Sequence, residues 1–245
     1  PVLCAGCPHR ASFYAVKTAM KGKKTIFCGD IGCYTLGNAM PLDMVDTCLC
    51  MGAGLNIAQG VEKVEPDTTC FAFVGDSTFF ASAITGVVNA VYNQANMVLI
   101  VLDNSTTAMT GHQPHPGTGQ TVMGEIVQKI NIEQVLRGIG VTEIETINPL
   151  ELEASVSCVK RMAEKSGVRA IIFKAPCIAV TKPKAPLHVD QDSCIGCKKC
   201  IRDLGCPAIV MNDGKICIDA SMCTGCHLCS QVCPVCAIAG GDNHE

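Results

Sequence analysis

Residues 71–107 read FAFVGDSTFFASAITGVVNAVYNQANMVLIVLDNSTT, and this stretch decides the fold of the chain. Two apolar runs each end in a polar pair, Gly75-Asp76 and Asp103-Asn104, and a helix-like segment separates them. The length and pattern are those of one βαβ unit. Because parallel strands joined by a right-handed crossover end at the same edge of a sheet, we predict that Asp76 and Asn104 share one crevice.

The same alternation of strand-like and helix-like segments extends over residues 12–175. Further apolar runs, TIFC at 25–28 and AIIFKA at 170–175, fit an α/β domain with a mostly parallel sheet flanked by helices. The segment TKPKAP at 181–186 has prolines, lysines and no periodicity, as is typical of a linker. We therefore expect an α/β domain at 1–180, a linker at 181–187 and a second domain at 188–245.

Composition and charge exclude several classes of protein. The chain has 245 residues, of which 48% are hydrophobic, enough for one full core and a small second module. A net charge of -3 without a basic stripe argues against nucleic acid as a partner, and the longest apolar run, MVLIVL, is too short to cross a membrane. The nineteen cysteines follow no signal-peptide pattern and have metal-type C-x2-C spacings. We therefore expect a cytoplasmic protein rather than a secreted disulfide scaffold.

The tail of the chain carries the strongest motif. Two runs, CIGCKKCIRDLGCP and CTGCHLCSQVCP, have the spacings C-x2-C-x2-C-x5-C-P and C-x2-C-x2-C-x3-C-P. In bacterial two-cluster ferredoxins, three cysteines of one run hold three corners of a [4Fe-4S] cube and the last cysteine of the other run holds the fourth. We therefore predict a small α+β domain of the bacterial 2[4Fe-4S] ferredoxin type. Its ligands would be a first tail set, Cys194, Cys197, Cys200 and Cys233, and a second tail set, Cys206, Cys223, Cys226 and Cys229.

Two alternatives remain open for the tail. Zinc sites favour separated C-x2-C pairs rather than triplets closed by Cys-Pro, so zinc is the less favoured metal. The two extra residues before Cys206 depart from the usual spacing, and a displaced Cys206 would leave a three-iron cluster or none. Cys217 and Cys236 are left over and are expected to be buried thiols.

Oxygen atoms at the crevice of the α/β domain suit a magnesium ion. Asp76 and Asn104 are hard ligands, and Mg2+ prefers to share such ligands with phosphate oxygens. Asp76 could instead be only the N-cap of the following helix, an alternative that the paired Asn104 makes less favoured.

Five motifs together resemble a known family. They are CAGCPHR at 4–10, GDIGCYTLG at 29–37, CLCMGAG at 48–54, GDSTFF at 75–80 and LDNSTTAMTGHQPHPG at 102–117. Gly75-Asp76 followed by Asn104 is similar to the thiamine diphosphate motif, although Ser77 stands where that motif usually has glycine. The whole set resembles the C-terminal half of the indolepyruvate ferredoxin oxidoreductase α subunits, members of the 2-oxo acid:ferredoxin oxidoreductases.

The resemblance implies a thiamine diphosphate-binding fold and an activity. In this family a 2-oxo acid, here indolepyruvate, is oxidatively decarboxylated to its acyl-coenzyme A, and electrons pass through [4Fe-4S] clusters to ferredoxin. The alternatives are a pyruvate or 2-oxoglutarate enzyme of the same family, and a non-catalytic iron-sulfur electron-transfer protein.

The resemblance also implies the cofactor contacts. Mg2+ would be held against the diphosphate by Asp76, Asn104 and the backbone carbonyl of Thr106. The remaining cofactor contacts would come from Gly75 and Ser77 at the phosphates and from Ile31, Gly32 and Cys33 along the thiazolium ring.

Catalysis in this family needs parts that the sequence lacks. The glutamate that activates thiamine comes from a pyrimidine-binding domain, which the resemblance places in the N-terminal half of the subunit. The chain begins at Pro1 without an initiator methionine, so we expect that half to be missing and the chain alone to be incomplete. A β subunit and a dimer of heterodimers are also implied.

The first C-x2-C pair, Cys4 and Cys7, could be a redox dithiol, half of a zinc site or half of a cluster site. In related enzymes such a pair joins a cysteine of an IGC stretch and one near the end of the domain. The hypothesis is a third, proximal [4Fe-4S] cluster held by an N-terminal set of Cys4, Cys7, Cys33 and Cys177. Cys28 could replace Cys33, and Cys177 could be only a packed thiol.

The remaining candidates have no assigned role. His112 and His115 lie in a loop after the second strand of the motif and could contact the cofactor or substrate, or be solvated. His9 and Arg10 could meet a carboxylate or simply begin a helix after Pro8. The other cysteines are expected to be core thiols: Cys28, Cys48, Cys50, Cys70 and Cys158. Of these, Cys48 and Cys50 are expected near the cofactor.

Overall fold

The computed structural model describes residues 1–240, and a five-stranded sheet forms the centre of its larger part. The strands are β1 (Thr25–Cys28), β2 (Thr69–Gly75), β3 (Met97–Asp103), β4 (Glu143–Ile147) and β5 (Val168–Lys174). They lie in the order β1-β2-β3-β5-β4, and every neighbouring pair is parallel. The predicted α/β fold with a parallel sheet is therefore confirmed.

Helices cover both faces of the sheet. They are α1 (Pro8–Ala19), α2 (Ala53–Val64), α3 (Asp76–Thr78), α4 (Ile84–Tyr92), α5 (Ile132–Ile139) and α6 (Leu152–Glu164). Phe71 and Phe73 of β2 pack into the core that contains α1 and α6, whereas Ala72 and Val74 pack into the core that contains α2, α4 and α5. Because alternate residues of a strand point to opposite faces, a strand covered on both faces must be apolar throughout, as β2 and β3 are.

The edge strand β4 escaped the sequence analysis. Its sequence, EIETI, alternates apolar and charged residues, and its side chains are half-buried or exposed. β1 is also an edge strand and was identified by its apolar run TIFC, so the two glutamates of β4, rather than its edge position, account for the difference.

The rest of the described chain forms a smaller α+β unit. Its elements are β6 (Leu187–Val189), α7 (Lys199–Leu204), β7 (Ile209–Asn212), β8 (Lys215–Ile218), α8 (Leu228–Val232) and β9 (Ile238–Gly240). Two antiparallel pairs, β6 with β9 and β7 with β8, make up its sheets. The start of each helix in this unit has the same geometry. Lys198 precedes α7 and His227 precedes α8, and both residues are in the left-handed conformation at φ 60°.

The two units share one apolar core. Leu187, Leu204 and Leu228 of the small unit pack into the same cluster as Phe13 of α1. The Tyr14 hydroxyl of α1 also donates to the Asp203 carboxylate of α7 over 3.4 Å. The small unit therefore packs against the face of the sheet that α1 and α6 cover. Among the helices of residues 1–240, none has the length and apolar content required to cross a membrane.

Candidate cofactor site

A cavity of about 250 Å3 opens at the carboxyl edge of the sheet, where β2 and β3 end. Seven of the eight residues named for cofactor contact line it: Ile31, Gly32, Cys33, Asp76, Ser77, Asn104 and Thr106. The eighth, Gly75, lies behind the lining, because a Cβ atom there would sit 2.0 Å from the Tyr34 hydroxyl. The crevice expected from the two strand ends is therefore present. Asp76, Ser77 and Asn104, which follow the two strands, form its polar lining.

Asp76 ties the start of α3 to the loop after β3. One carboxylate oxygen accepts the backbone N–H of Ser77 at 2.8 Å and the other accepts that of Ser105, also at 2.8 Å. The residue is only 2% exposed, and this burial raises the pKa of its carboxyl, while the nearby His115 opposes the rise. A buried carboxylate that needs positive charge nearby fits a divalent cation.

His9 orients the amide of Asn104. The Asn104 Nδ2 lies 3.2 Å from His9 Nε2, and an amide nitrogen can only donate, so the imidazole is the acceptor. Burial lowers the pKa of His9 to about 4, which keeps the ring neutral and able to accept. The Asn104 oxygen, which accepts the N–H of Thr106 at 3.3 Å, is thereby turned toward the residues that line the cavity.

His115 provides a buried donor that has no hydrogen-bond partner among residues 1–240. Its Nδ1 accepts the N–H of Gly117 at 3.2 Å, so its proton resides on Nε2. The Nε2 atom lies 3.2 Å from the Asp76 carboxylate but outside hydrogen-bonding geometry. Phe80 stacks on the ring with centroids 5.9 Å apart and holds it in place. His115 lines a neighbouring pocket together with Asp103 and Lys174 and meets the cofactor cavity only through its contact with Asp76. His112, in contrast, is exposed on the loop.

Asp30 is a buried part of the site that the sequence analysis missed. Its two carboxylate oxygens accept the backbone N–H groups of Gly52 at 2.9 Å and Gly75 at 3.2 Å. The side chain is 1% exposed, and it joins the loop after β1 to the starts of α2 and α3. The sequence held a signal in its second Gly-Asp pair, at Gly29-Asp30, which also follows a strand.

The N-terminal set of cysteines borders the cavity. Cys33 lines it, and the pKa of the Cys33 thiol is raised by burial and then by the neighbouring Cys177 and Cys4. Burial also raises the pKa of Cys7 to about 12, with Cys4 contributing. Thiols gathered where a thiolate is unfavourable fit a cationic iron-sulfur cluster, which stabilises the deprotonated ligands.

Cys28 is kept apart from that set. It is completely buried in the core formed with α2 and α4, whereas Cys7 packs against the core on the opposite face of the sheet. The positions therefore favour Cys33 over Cys28 as the neighbour of Cys4 and Cys177.

Each tail set gathers in one place. The first tail set lines a small pocket of about 20 Å3, and the N–H of Ala237 donates to the Cys233 sulfur over 3.3 Å. In the second tail set, burial and the neighbouring Cys226, Cys206 and Cys223 raise the pKa of Cys229 to about 12. Cys206 therefore lies with its predicted partners despite the longer spacing before it.

Within residues 1–240, no three His, Cys, Asp or Glu side chains surround a common point as the ligands of one ion do. Four thiolates at the corners of a cube are farther apart than ligands of a single ion, so cluster binding by the three sets stays a prediction.

Three cysteine predictions are wrong. Cys48 and Cys50 were expected in the core but are exposed, because they lie in the irregular segment before α2. Cys236 was also expected to be buried and is exposed, in a left-handed turn at φ 52° just before β9. Cys28, Cys70 and Cys158 are buried as expected, and Cys217 is half-buried.

Comparisons with known proteins agree with this architecture. Residues 30–173 match the family model described as thiamine pyrophosphate enzyme, C-terminal TPP binding domain. The chain is 43% identical to the indolepyruvate oxidoreductase subunit IorA of Methanothermobacter thermautotrophicus, over 97% of this chain and 40% of that protein. It is 28% identical to the 2-oxoglutarate synthase subunit KorB of Archaeoglobus fulgidus, over 54% of this chain and 51% of that one. The resemblance found in the sequence is thus confirmed.

A solved structure shares the fold. The chain superposes with a TM-score of 0.65 and 20% identity on the 2-oxoglutarate:ferredoxin oxidoreductase from Magnetococcus marinus, over 73% of this chain and 65% of that one. The chain spans about two fifths of the length of the curated IorA relatives that it matches.

Proposed function

The chain belongs to the thiamine pyrophosphate enzymes, with a C-terminal TPP-binding domain over residues 30–173, and on this premise we propose that it is part of a 2-oxo acid:ferredoxin oxidoreductase. The proposed reaction is the oxidative decarboxylation of indolepyruvate to its acyl-coenzyme A, with ferredoxin as electron acceptor. The observation that carries the proposal is that the residues named for thiamine line one cavity, which the N-terminal cysteine set borders.

Each side chain of the cavity has a defined task in this proposal. Asp76, Asn104 and the carbonyl of Thr106 hold Mg2+, and Ser77 lies with them on the phosphate side. Ile31, Gly32 and Cys33 border the thiazolium ring, and His115 lies against the Asp76 carboxylate at 3.2 Å. When bound, thiamine diphosphate serves as electron sink for the carbanion left by decarboxylation. The protein binds and orients the cofactor.

The cysteine sets are the proposed sites of three [4Fe-4S] clusters, two of them in a tail of the ferredoxin type. Two backbone N–H groups support this role, because they donate to ligand sulfurs: Ala237 to Cys233 at 3.3 Å and Leu187 to Cys223 at 3.5 Å. Hydrogen bonds to cluster sulfurs are one means by which proteins tune reduction potential.

The rim of the cavity supports a missing partner domain. Ile31, Met51 and Met109 line the cavity, yet their side chains are 41%, 46% and 54% exposed. Apolar residues exposed together at a cofactor site are typical of a surface that another domain covers. We propose the N-terminal pyrimidine-binding half of the subunit, which brings the activating glutamate, as that domain, together with a β subunit in a dimer of heterodimers.

The proposed location is the reducing cytoplasm. All nineteen cysteines lie within residues 1–240 and none is in a disulfide there. Free thiols in this number are typical of a reducing compartment and of metal ligation.

A comparison of substrates tests the function. The complete complex, purified without oxygen, should contain thiamine diphosphate and Mg2+ and should reduce ferredoxin faster with indolepyruvate or phenylpyruvate than with pyruvate or 2-oxoglutarate. A complex without thiamine and Mg2+ would instead indicate a non-catalytic electron-transfer protein.

The second candidate is a 2-oxoglutarate enzyme, which the partial identity to the KorB subunit favours. Preference for 2-oxoglutarate in the same assay, with full thiamine content, would establish this alternative and overturn the aryl assignment.

A further inference from the structure

The first turn of α1 carries a buried guanidinium without a carboxylate partner. Arg10 is 3% exposed, and among residues 1–240 no Asp or Glu forms an ion pair with it. Its Nη1 donates to the carbonyls of Leu204 at 2.5 Å and Gly205 at 2.9 Å, and its Nη2 donates to those of Leu3 at 2.5 Å and Cys4 at 3.4 Å. Buried arginines are usually paired with acids, so this arrangement calls for another explanation.

The four carbonyls belong to two cysteine loops. Leu3 and Cys4 open the loop of the N-terminal set, whereas Leu204 and Gly205 directly precede Cys206 of the second tail set. The planar fork of an arginine can hold two groups of acceptors in fixed geometry. Arg10 therefore joins two loops that lie nearly 200 residues apart in the chain.

A second contact joins the same two sets at other residues. Gly6 lies between Cys4 and Cys7 with φ at 73°, and a Cβ atom there would come within 1.8 Å of the Thr224 hydroxyl oxygen. Thr224 lies between Cys223 and Cys226 of the second tail set. The two C-x2-C loops therefore touch, and they do so independently of Arg10.

The charge of Arg10 lies among thiols of both sets. Burial lowers the pKa of the guanidinium, and Cys206, Cys7, Cys226 and Cys4 oppose the shift in that order. The first tail set has a different arginine, Arg202, which is exposed and donates to the Cys197 carbonyl at 2.8 Å. The contacts of Arg10 are therefore buried and join two cysteine sets, whereas the contact of Arg202 is exposed to solvent and stays within one set.

We propose that Arg10 is a positioning residue that clamps the N-terminal cysteine set onto the second tail set and holds one uncompensated positive charge between them. The inference rests on the proposed function, since it requires that both sets carry clusters. A buried positive charge favours the more negative, reduced form of a nearby cluster, so it raises the reduction potential of that cluster. Arginine keeps this charge throughout the physiological pH range.

The test is a redox titration of the complete complex, followed by electron paramagnetic resonance, with iron content measured on the same samples. Arg10→Met removes the charge at similar length and is expected to shift the potential of the second tail cluster, the proximal cluster or both to more negative values. Arg10→Lys keeps the charge but loses the planar fork, so its potentials should stay closer to wild type than those of Arg10→Met. Arg202→Met is the matched control, and its effect should be smaller because water screens an exposed charge.

The outcomes separate the clamp from other roles. An Arg10→Met complex with full iron content and wild-type potentials overturns the inference, as does an Arg10→Lys complex shifted as far as Arg10→Met. If Arg10→Met fails to assemble, Arg10→Gln, which removes the charge but keeps amide donors, takes its place in the titration, and wild-type potentials in that variant overturn the inference. A wild-type complex without iron would contradict the proposed function itself, whereas unchanged potentials in an iron-loaded variant would contradict only the role of Arg10.

Discussion

Single residues hold the cofactor cavity together through contacts with one another rather than with solvent. Asp30 fixes two glycine N–H groups, Asp76 fixes the Ser105 N–H and His9 fixes the amide of Asn104. All of these groups except the half-buried Ser105 are buried, so they cannot exchange their partners for water without cost. Changes at such positions should therefore weaken cofactor binding before they weaken the fold.

Removal of the Asp76 charge should abolish tight binding of Mg2+ with thiamine diphosphate. Asp76→Asn keeps the shape but loses the carboxylate, and we expect an affinity lower by at least about 100-fold, the upper end of the cost of losing even an outer-shell partner. Equilibrium dialysis with Mg2+ and thiamine diphosphate measures it. Asp46→Asn is the control, because Asp46 is exposed, accepts the Phe27 N–H at 2.7 Å and does not line the cavity. Equal losses in both variants would contradict the assignment.

His9 should matter for cofactor affinity although it does not line the cavity. His9→Leu removes the acceptor that orients Asn104, and we expect the affinity for thiamine diphosphate and Mg2+ to fall about 10- to 100-fold. His9→Gln retains an acceptor oxygen and should recover part of the loss. The same dialysis measures both variants, and a full loss with glutamine would show that the ring is needed for packing instead.

Cys158 should make the protein sensitive to alkali. Burial and the adjacent Glu145 raise the pKa of this thiol to about 12 from the usual 9, so the folded state holds the proton more tightly than the unfolded state. The stabilisation is complete below pH 9 and is lost as the pH rises toward 12. Denaturant unfolding of Cys158→Ala across this range should show a flatter pH profile than wild type. Parallel profiles would assign the alkaline loss to other groups.

At the scale of secondary structure, continuous apolar runs identified the inner strands, but local conformations escaped prediction. The segment after β2 was expected to be a simple helix, yet Phe79–Ala83 forms a π-helical turn between α3 and α4. The sequence of this turn, FFASA, does not differ in composition from that of an ordinary α-helix, so the sequence does not predict the π conformation. The π-helical turn lies directly after α3, the helix that begins at Asp76.

Packing of α2 against the loop after β1 depends on a single glycine. A Cβ atom at Gly54 would lie 2.3 Å from the Gly29 carbonyl, so Gly54→Ala should destabilise the fold by about 1–3 kcal/mol. Gly60 lies in the same helix with nothing within 4 Å, and Gly60→Ala should stabilise by about 0.5–1 kcal/mol. Urea denaturation of both variants measures the difference, and changes of the same sign would contradict this account of the packing.

The proximity of Asp76 and Asn104 was predictable, because the local sequence shows where each strand ends and parallel strands end at the same edge of a sheet. The contacts of His9, Asp30 and His115 were not predictable, since each joins segments whose approach depends on tertiary packing. The same reason explains the errors at Cys48 and Cys50, which have apolar neighbours in sequence but face solvent. Sequence therefore indicated which edge of the sheet holds the site, and packing decided which side chains support it.

At the scale of the whole molecule, the three cysteine sets connect the cofactor edge of the sheet with the tail. Cys33 borders the cavity, Gly6 abuts Thr224, and the first tail set lies around a pocket of its own with Cys197 exposed. The sets thus run from the cofactor edge of the large unit, where Cys4 is exposed, to the surface of the small one.

Iron content tests the N-terminal set. Three four-iron clusters correspond to about twelve iron atoms per chain, and Cys177→Ser should reduce this to about eight while it leaves the tail clusters intact. Cys28→Ala, the control, should leave iron content unchanged because Cys28 lies in the other core. Colorimetric iron analysis of protein purified without oxygen measures both. About eight atoms in intact wild-type protein would contradict a third cluster.

The pairing of β6 with β9 has a consequence for the history of the molecule. The first and last strands described for the small unit are neighbours, with Leu187 opposite Gly240. A module whose entry and exit lie side by side can be gained or lost at one surface position of a host without stretching either end. Evolution could therefore attach this tail to a cofactor domain in one recombination event.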